Sequence, residues 1–112
     1  MRIYKILPRT AWTAAHEAQR FEGSSLDLTD GFIHFSTATQ AQETARRHFV
    51  GEADLVVLEV EADDLGEALK WESSRGGELF PHLYGPLAAI HVRYVTEAPL
   101  GKDGVPVLGA LR

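Results

Sequence analysis

The pattern of apolar and polar positions along the chain predicts five strands. Short alternating segments are typical of half-buried strands, and an unbroken apolar run such as LVVL indicates a strand covered on both faces. The segments that fit one of these descriptions are residues 2–7, 31–36, 54–62, 68–73 and 88–95. The tail GKDGVPVLGALR leaves room for an edge strand after them.

Two further segments have the helical period. Alanines recur on one face of residues 10–20 beside a tryptophan, which predicts a helix there. A second helix is predicted over residues 37–49, because TATQ at its start has the form of a capping box. In that motif Thr37 accepts a hydrogen bond from the first turn, and Gln40 reaches back to the cap residue. Gly51 is a natural stop after this helix.

Turn-forming residues separate these elements. FEGSSLDLTD, residues 21–30, is predicted to be a polar connection, and residues 63–66 a turn. Two glycines in residues 75–77 tolerate positive φ and predict a loop. FPHLYGP, residues 80–86, is interrupted by proline and glycine, so no central strand is expected there. The order of elements predicts one α+β domain spanning residues 1–112, with its two main helices in the N-terminal half.

Composition narrows the class of protein. The chain has 112 residues, a formal net charge of −5 and no cysteine. The negative charge argues against salt-driven binding to nucleic acid, and the lack of cysteine excludes disulfides, thiol catalysis and cysteine-ligated zinc. No apolar run approaches the roughly 18 residues of a membrane helix, and the N-terminus lacks the features of a secretory signal. We therefore expect a cytoplasmic protein that binds a small ligand or a protein partner.

GFIHFST carries the first candidate site. Its period of two places Ile33 and Phe35 on one face of a strand. His34 and Ser36 lie on the other face, and the strand leads directly into the helix that begins at Thr37. The free amides of a helix N-terminus favour a phosphate or carboxylate. Either His34 looks into a ligand cleft, as we expect, or it packs in the core while Ser36 and Thr37 only cap the helix.

Two other groups of residues are candidates for ligand contacts. Arg47, near the end of the second helix, has the side chain to clamp an anion, although basic residues in a last turn often only oppose the helix dipole. Phe80, His82 and Tyr84 combine aromatic rings with an imidazole, which suits either a pocket wall or a loop pinned to the core. The histidines show no metal-ligand spacing, and no Gly-x-Ser-x-Gly motif of a serine hydrolase is present.

The segments GFIHFST, ETARRHF and LKWESSRGGELFPHLYGPL, with IYKIL at the start, resemble the domain of unknown function 952 family. The resemblance covers nearly the whole chain. It implies the fold of the ADP-ribosyltransferase-like superfamily, a small α+β domain of split, mixed or antiparallel sheets around a central cleft. In active members of that superfamily the cleft binds NAD.

The run from His34 to Phe80 is more distantly similar to the catalytic domain of RNA 2′-phosphotransferases. Those enzymes have a V-H-L-S strand, an arginine ahead of a histidine on the next helix, a V-x-L-x-V-D strand and an S-x-N-G-V loop. The matching segments here are 33–36, 47–48, 57–61 and 74–77. The resemblance implies that Arg47 holds phosphate, and that Lys5 stands where these transferases often carry an arginine.

The chain also departs from those enzymes. Their N-terminal winged-helix part has no room here, and the first strand lacks their R-A-x-Q-G-H-S pattern. The glutamate-rich motif of protein-modifying ADP-ribosyltransferases is not recognisable, although Glu78 is a candidate for its position. The resemblance is therefore compatible with a cleft whose transferase chemistry has been lost or changed.

Three functional hypotheses follow from the residues and the resemblance. The first is a cleft that binds NAD, ADP-ribose or a related phosphate-bearing nucleotide without metal, with transfer of ADP-ribose or a 2′-phosphate as the activity if the protein is an enzyme. The second is a non-catalytic interaction module that uses the FPHLYGP loop, and the third is a hydrolase or isomerase with a histidine as general base. The first hypothesis assigns catalysis to His34 and Arg47, and ligand contacts to Lys5, Ser36, Thr37, Arg75, Phe80, His82 and Tyr84.

Overall fold

A computed structural model describes residues 1–111, with the exception of the Arg75 side chain, so the role predicted for Arg75 lies outside the described residues. In chain order the strands are Arg2–Pro8 (β1), Arg20–Phe21 (β2), Ile33–His34 (β3), Leu55–Glu61 (β4), Leu69–Ser73 (β5), Leu79–Leu83 (β6), Leu87–Ala88 (β7) and Val92–Ala98 (β8). The α-helices are Arg9–Ala18 (α1), Ser25–Asp30 (α2) and Ala38–His48 (α3). Short 3₁₀ turns cover Ala62–Ala68, Arg75–Gly77 and Ala89–His91.

The strands form antiparallel sheets, which confirms the predicted α+β class. One sheet has the order β1-β4-β8, a second has the order β3-β6-β5, and β2 pairs with β7. Tyr4 of β1 and Ser36, just after β3, join the two larger sheets. Each donates its backbone N–H to the carbonyl of the other, at 2.8 and 2.9 Å. The chain segment after His34 therefore passes from one sheet to the other.

The central strand β4 has apolar side chains on both faces, as its unbroken apolar run predicts. On one face Val56, Leu58 and Val60 join a core cluster with α1 and the second sheet. On the other face Leu55 and Val57 pack against α3. Each fully buried aliphatic side chain of this size contributes about 1.5–3 kcal/mol. The two faces of this strand therefore hold the two halves of the core together.

The two predicted helices are present, with ends that differ by a few residues from the sequence-based bounds. The Gln40 side chain accepts a hydrogen bond from the Thr37 backbone N–H at 3.0 Å, as expected of the capping box. Ala41 and Ala45 are fully buried against the first sheet. No helix in the described part of the chain is long and apolar enough to cross a membrane.

The prediction that residues 21–30 form only a polar connection is wrong, because α2 lies within them. The Ser24 hydroxyl accepts from the Asp27 backbone N–H at 3.2 Å, and the Asp27 carboxylate accepts from the Ser24 N–H at 2.8 Å. This is a capping box with aspartate in the third helical position. Gly31, at a φ of 87°, ends the helix after six residues. The polar composition of this segment does not indicate a helix, but the capping residues at its two ends define one.

The prediction that FPHLYGP cannot form a central strand is also wrong, since β6 lies between β3 and β5 with Pro81 inside it. The Pro81 carbonyl accepts from the Phe35 N–H at 3.0 Å, on the side where β3 lies. In an antiparallel ladder the N and C=O of one residue face the same neighbour. Pro81 has no N–H, and the side of β6 on which that group would lie faces the chain just beyond the two residues of β3. Little strand pairing is therefore lost at this position.

The predicted strand over residues 88–95 is only partly correct. A 3₁₀ turn at Ala89–His91 separates β7 from β8, and β8 continues to Ala98. The edge strand expected in the tail is absent from the described residues, where only an isolated bridge between Leu100 and Pro106 occurs. Pro99 and Pro106 lack the N–H groups that a longer ladder needs.

Candidate functional site

The strand pair β3 and β6 places two histidines side by side. His34 lies directly opposite His82 in the antiparallel register, and their ring centroids are 5.6 Å apart. The neighbours Ile33 and Phe35 are each 2% exposed in the core on the other side. The predicted alternation is confirmed, and it turns His34 away from the core.

Phe32 lies between the rings of this group. Its centroid is 4.0 Å from that of His82 in a stacked arrangement, 4.5 Å from that of His34 and 5.3 Å from that of Tyr84. With Glu72, which is described below, these side chains form one surface. We call the surface made by Phe32, His34, Glu72, His82 and Tyr84 the imidazole face.

Asp27 of α2 holds His34 of the imidazole face in position. Its carboxylate accepts from the His34 ring Nδ1 at 2.6 Å and from the His34 backbone N–H at 3.1 Å. The Lys5 Nζ lies 3.0 Å from one carboxylate oxygen and 2.9 Å from the other. Lys5 and Asp27 are buried, at 6% and 2% exposure. The short helix therefore holds both the strand and the ring of His34 in place.

The charges of this buried pair stabilise one another. Burial by itself raises the pKa of Asp27, but hydrogen bonds and charge from His34 and Lys5, with the Ser24 N–H, hold that pKa well below its usual range. Burial lowers the pKa of Lys5, while attraction to Asp27 opposes this effect. Lys5 is therefore a structural partner of Asp27, and its ammonium is not presented to a ligand.

The His34 ring is bound on both sides. Its Nε2 lies 2.9 Å from a carboxylate oxygen of Asp30, which is exposed at the end of α2. Both ring nitrogens therefore lie within hydrogen-bond distance of a carboxylate oxygen. As long as both contacts hold, His34 has no free nitrogen to act as a base. A ligand that displaced Asp30 would gain access to Nε2.

His82 has a different environment. Its Nδ1 donates to the Glu72 carboxylate at 2.8 Å, and the Tyr84 hydroxyl donates to the same oxygen at 2.8 Å. The hydrogen bond from His82, followed by that from Tyr84, lowers the pKa of Glu72. The hydrogen bond to Glu72 in turn raises the pKa of Tyr84. His82 is 4% exposed, and its Nε2 has no hydrogen-bond partner among the described residues. A carboxylate thus orients the ring and leaves one nitrogen available.

The other predicted site residues lie elsewhere or have structural contacts. Ser36 is buried, and its hydroxyl lies 2.9 Å from that of Thr44 on α3. Thr37 caps α3. Phe80 is buried two residues before His82 on β6. Of the predicted set, the structure brings Lys5, His34, His82 and Tyr84 together.

Arg47 is not part of the imidazole face. It lies at the end of α3, roughly 13 Å along the helix from its first residue. Its Nε donates to Glu43 one turn back at 2.9 Å, on the exposed surface. The contact is the ordinary i,i+4 ion pair of a solvated helix. The structure therefore gives no support to a shared role for Arg47 and His34.

Sequence reasoning missed four residues of the site or its support, namely Asp27, Asp30, Phe32 and Glu72. The spacing of Ser24 and Asp27 was a readable signal, because it matches a helix cap. Phe32 shares the period-two face of His34. Glu72 had no comparable signal, since its role depends on the pairing of two strands.

A shallow groove opens beside Asp27 and Phe32. Its volume is about 210 Å³, and Leu28 and Pro86 form part of its rim. Pockets that enclose drug-sized ligands usually have volumes of roughly 300–1,000 Å³. The groove is therefore large enough for a single ring or a sugar, and too small to enclose a whole dinucleotide.

Solved structures of a similar protein have the same architecture. The crystal structure of protein CC0527 from Caulobacter crescentus is 58% identical, with 97% of this chain and 96% of that chain covered and a TM-score of 0.95. The solution NMR structure of CC0527 is 58% identical over 96% of this chain and 93% of that one, with a TM-score of 0.87. None of the curated proteins compared with the chain is significantly similar to it.

The fold and site thus define a small α+β domain with antiparallel sheets and a histidine-bearing face. The family model described as "Protein of unknown function (DUF952)" matches residues 6–95. The chain belongs to this family, as its motifs predict.

Proposed function

We propose that the imidazole face binds the ring and ribose of a phosphate-bearing nucleotide of the NAD or ADP-ribose class. The observation that carries the proposal is the pairing of His34 with His82 beside two aromatic rings, Phe32 and Tyr84. A base that stacks on an aromatic side chain gains about 1–3 kcal/mol. Tyr84 is 43% exposed, so its ring is accessible for such stacking.

Polar groups around the rings suit a sugar. The carboxylates of Asp30 and Glu72 are partly exposed and accept hydrogen bonds from hydroxyl groups. The unpartnered Nε2 of His82 is a further acceptor when the ring is neutral. The groove beside Phe32 has the volume of one ring or sugar. These features support recognition of the nucleoside part of the ligand, with the phosphates projecting from it.

The proposal also includes the more specific resemblance to ADP-ribosyltransferases. An ADP-ribosyltransferase-like fold, with its distant likeness to RNA 2′-phosphotransferases, would make transfer of ADP-ribose or of a 2′-phosphate the associated activity. Support for a nucleotide cleft comes from the period-two face of His34. The phosphate contacts inferred by resemblance fit less well, because Lys5 is buried against Asp27 and Arg47 is paired with Glu43.

A nuclear magnetic resonance titration of the ¹⁵N-labelled protein tests the proposal. NAD and ADP-ribose should shift the amide signals of Phe32, His34, His82 and Tyr84 at millimolar ligand or below. His82→Ala should remove these shifts, whereas His16→Ala, which changes an exposed histidine on α1, should leave them intact. Unchanged spectra at millimolar nucleotide, or shifts confined to other surfaces, would contradict the proposal.

A second candidate is a protein-interaction module built on the FPHLYGP segment, which comprises most of β6 and the turn after it. It is favoured by the exposure of Leu28, at 66%, in the groove whose rim includes Pro86. Exposed apolar side chains grouped at a groove are typical of contact surfaces. This candidate predicts that nucleotides cause no shifts, and that Tyr84→Ala or Leu28→Ser removes a bound protein without changing the melting temperature by more than a few degrees.

A further inference from the structure

A lysine extends the row of histidines across the second sheet. In the register of β5 and β6, Lys70 is directly opposite His82, just as His34 is opposite His82 on the other side. Side chains of directly opposed residues lie on the same face, with Cβ atoms about 4.5–5.5 Å apart. Leu69, the neighbour of Lys70, packs against the core on the opposite face. Lys70 therefore emerges beside the imidazole face.

The Lys70 ammonium differs from the other cations near the site. Lys70 is exposed, and no carboxylate of the described residues forms an ion pair with it. Glu72, two residues along the same strand face, is already engaged by His82 and Tyr84. Lys5, in contrast, is buried against Asp27. Lys70 is thus an accessible cation, and its positive charge helps to lower the pKa of Glu72.

His82 supplies the second observation. It is 4% exposed, its Nδ1 is held by Glu72, and its Nε2 has no hydrogen-bond partner among the described residues. This ring nitrogen is therefore not occupied by another side chain of the described residues. The directly opposed Lys70 provides a cation on the same face of the two strands. Together the two groups can contact a single small anion.

We propose that Lys70 and His82 form a phosphate subsite, which receives the phosphate or pyrophosphate of the ligand bound at the imidazole face. This inference rests on the proposed function for the identity of the whole ligand, but the subsite is defined by its own two residues. It replaces the phosphate contacts suggested by resemblance, Lys5 and Arg47, with a residue on a different strand. Lys70 would fix the anion as a point charge, and the His82 Nε2 would donate to it in the form of the ring that carries a proton on both nitrogens.

Inorganic pyrophosphate is the probe that tests this subsite alone. In ¹⁵N-labelled protein it should shift the amides of Lys70 and His82, and Lys70→Gln should weaken its affinity by about tenfold, the loss that accompanies one charge-assisted hydrogen bond. Lys70→Arg should retain most of the affinity. Lys102→Gln, which removes an equal charge from the exposed tail, should change nothing. His82→Gln should weaken binding to a similar degree as Lys70→Gln.

The results separate the subsite from the nucleotide proposal. Absence of pyrophosphate shifts at Lys70 and His82, or equal affinity in wild type and Lys70→Gln, overturns the subsite. An equal loss in Lys70→Gln and Lys102→Gln also overturns it, because only net charge would then matter. If pyrophosphate binds as expected while adenosine and nicotinamide leave Phe32 and Tyr84 unshifted, the subsite stands and the nucleotide proposal fails.

Discussion

Asp27 is the residue on which the site depends most. It binds the ring and backbone of His34, the ammonium of Lys5 and the start of its own helix. A single carboxylate thus connects β1, α2 and β3. Because the carboxylate is 2% exposed, each of these contacts is largely shielded from water.

Asp27→Asn should lower the free energy of unfolding by about 3–5 kcal/mol, because it leaves Lys5 buried without its counter-charge. Urea denaturation of both proteins at neutral pH measures the difference. Asp30→Asn, at the exposed end of the same helix, is the matched control and should cost less than about 1 kcal/mol. Equal losses in the two variants would show that burial of the pair is not what stabilises this region.

The stability should also depend on pH through Asp27. Its pKa in the folded protein lies below the ordinary value of 3.8, so the folded state favours the ionised form. The stabilisation is fully present above pH 3.8 and is lost as the pH falls toward the folded-state pKa. The loss of unfolding free energy between pH 5 and pH 2.5 should therefore be larger in the wild type than in Asp27→Asn. Parallel curves for the two proteins would contradict this assignment.

At the scale of elements, α2 has only six residues and depends on its cap. Ser24→Ala removes the hydroxyl that accepts from the Asp27 N–H and should cost about 0.5–2 kcal/mol. It should also broaden or shift the His34 ring signals, because the helix positions Asp27. Ser25→Ala, one residue later and outside the capping box, should have little effect on either measurement. An undisturbed His34 ring in Ser24→Ala would mean that the cap does not position the site.

The elements also explain which features the sequence could predict. The face of His34 follows from alternation within one strand, and α3 follows from alanine spacing and its cap. The opposition of His34 and His82 depends on the register of two strands far apart in the chain, and that of Lys70 and His82 depends on the register across a short loop. Alternation within a single strand does not encode either register. Pro81 misled the prediction because its missing N–H matters only on the side of the short strand β3.

At the scale of the whole molecule, the mutual hydrogen bonds of Tyr4 and Ser36 join the two larger sheets. We expect the amides of both residues to exchange with deuterium only through global unfolding, at the slow rate of Val57 in the central strand. The Leu28 amide, in the short helix α2, should exchange faster through local opening. If Tyr4 and Ser36 exchanged much faster than Val57, the two sheets would open independently.

The order of the first sheet determines when the fold closes during synthesis. The strand β4 lies between β1, from the start of the chain, and β8, at residues 92–98. While the ribosome is still adding the segment after β4, one hydrogen-bonding edge of this apolar strand has no partner. A nascent chain at that stage resembles an unprotected sheet edge, which other chains can extend. Truncated messenger RNAs that end before the codons of β8 should therefore yield polypeptides that chaperones retain or proteases degrade.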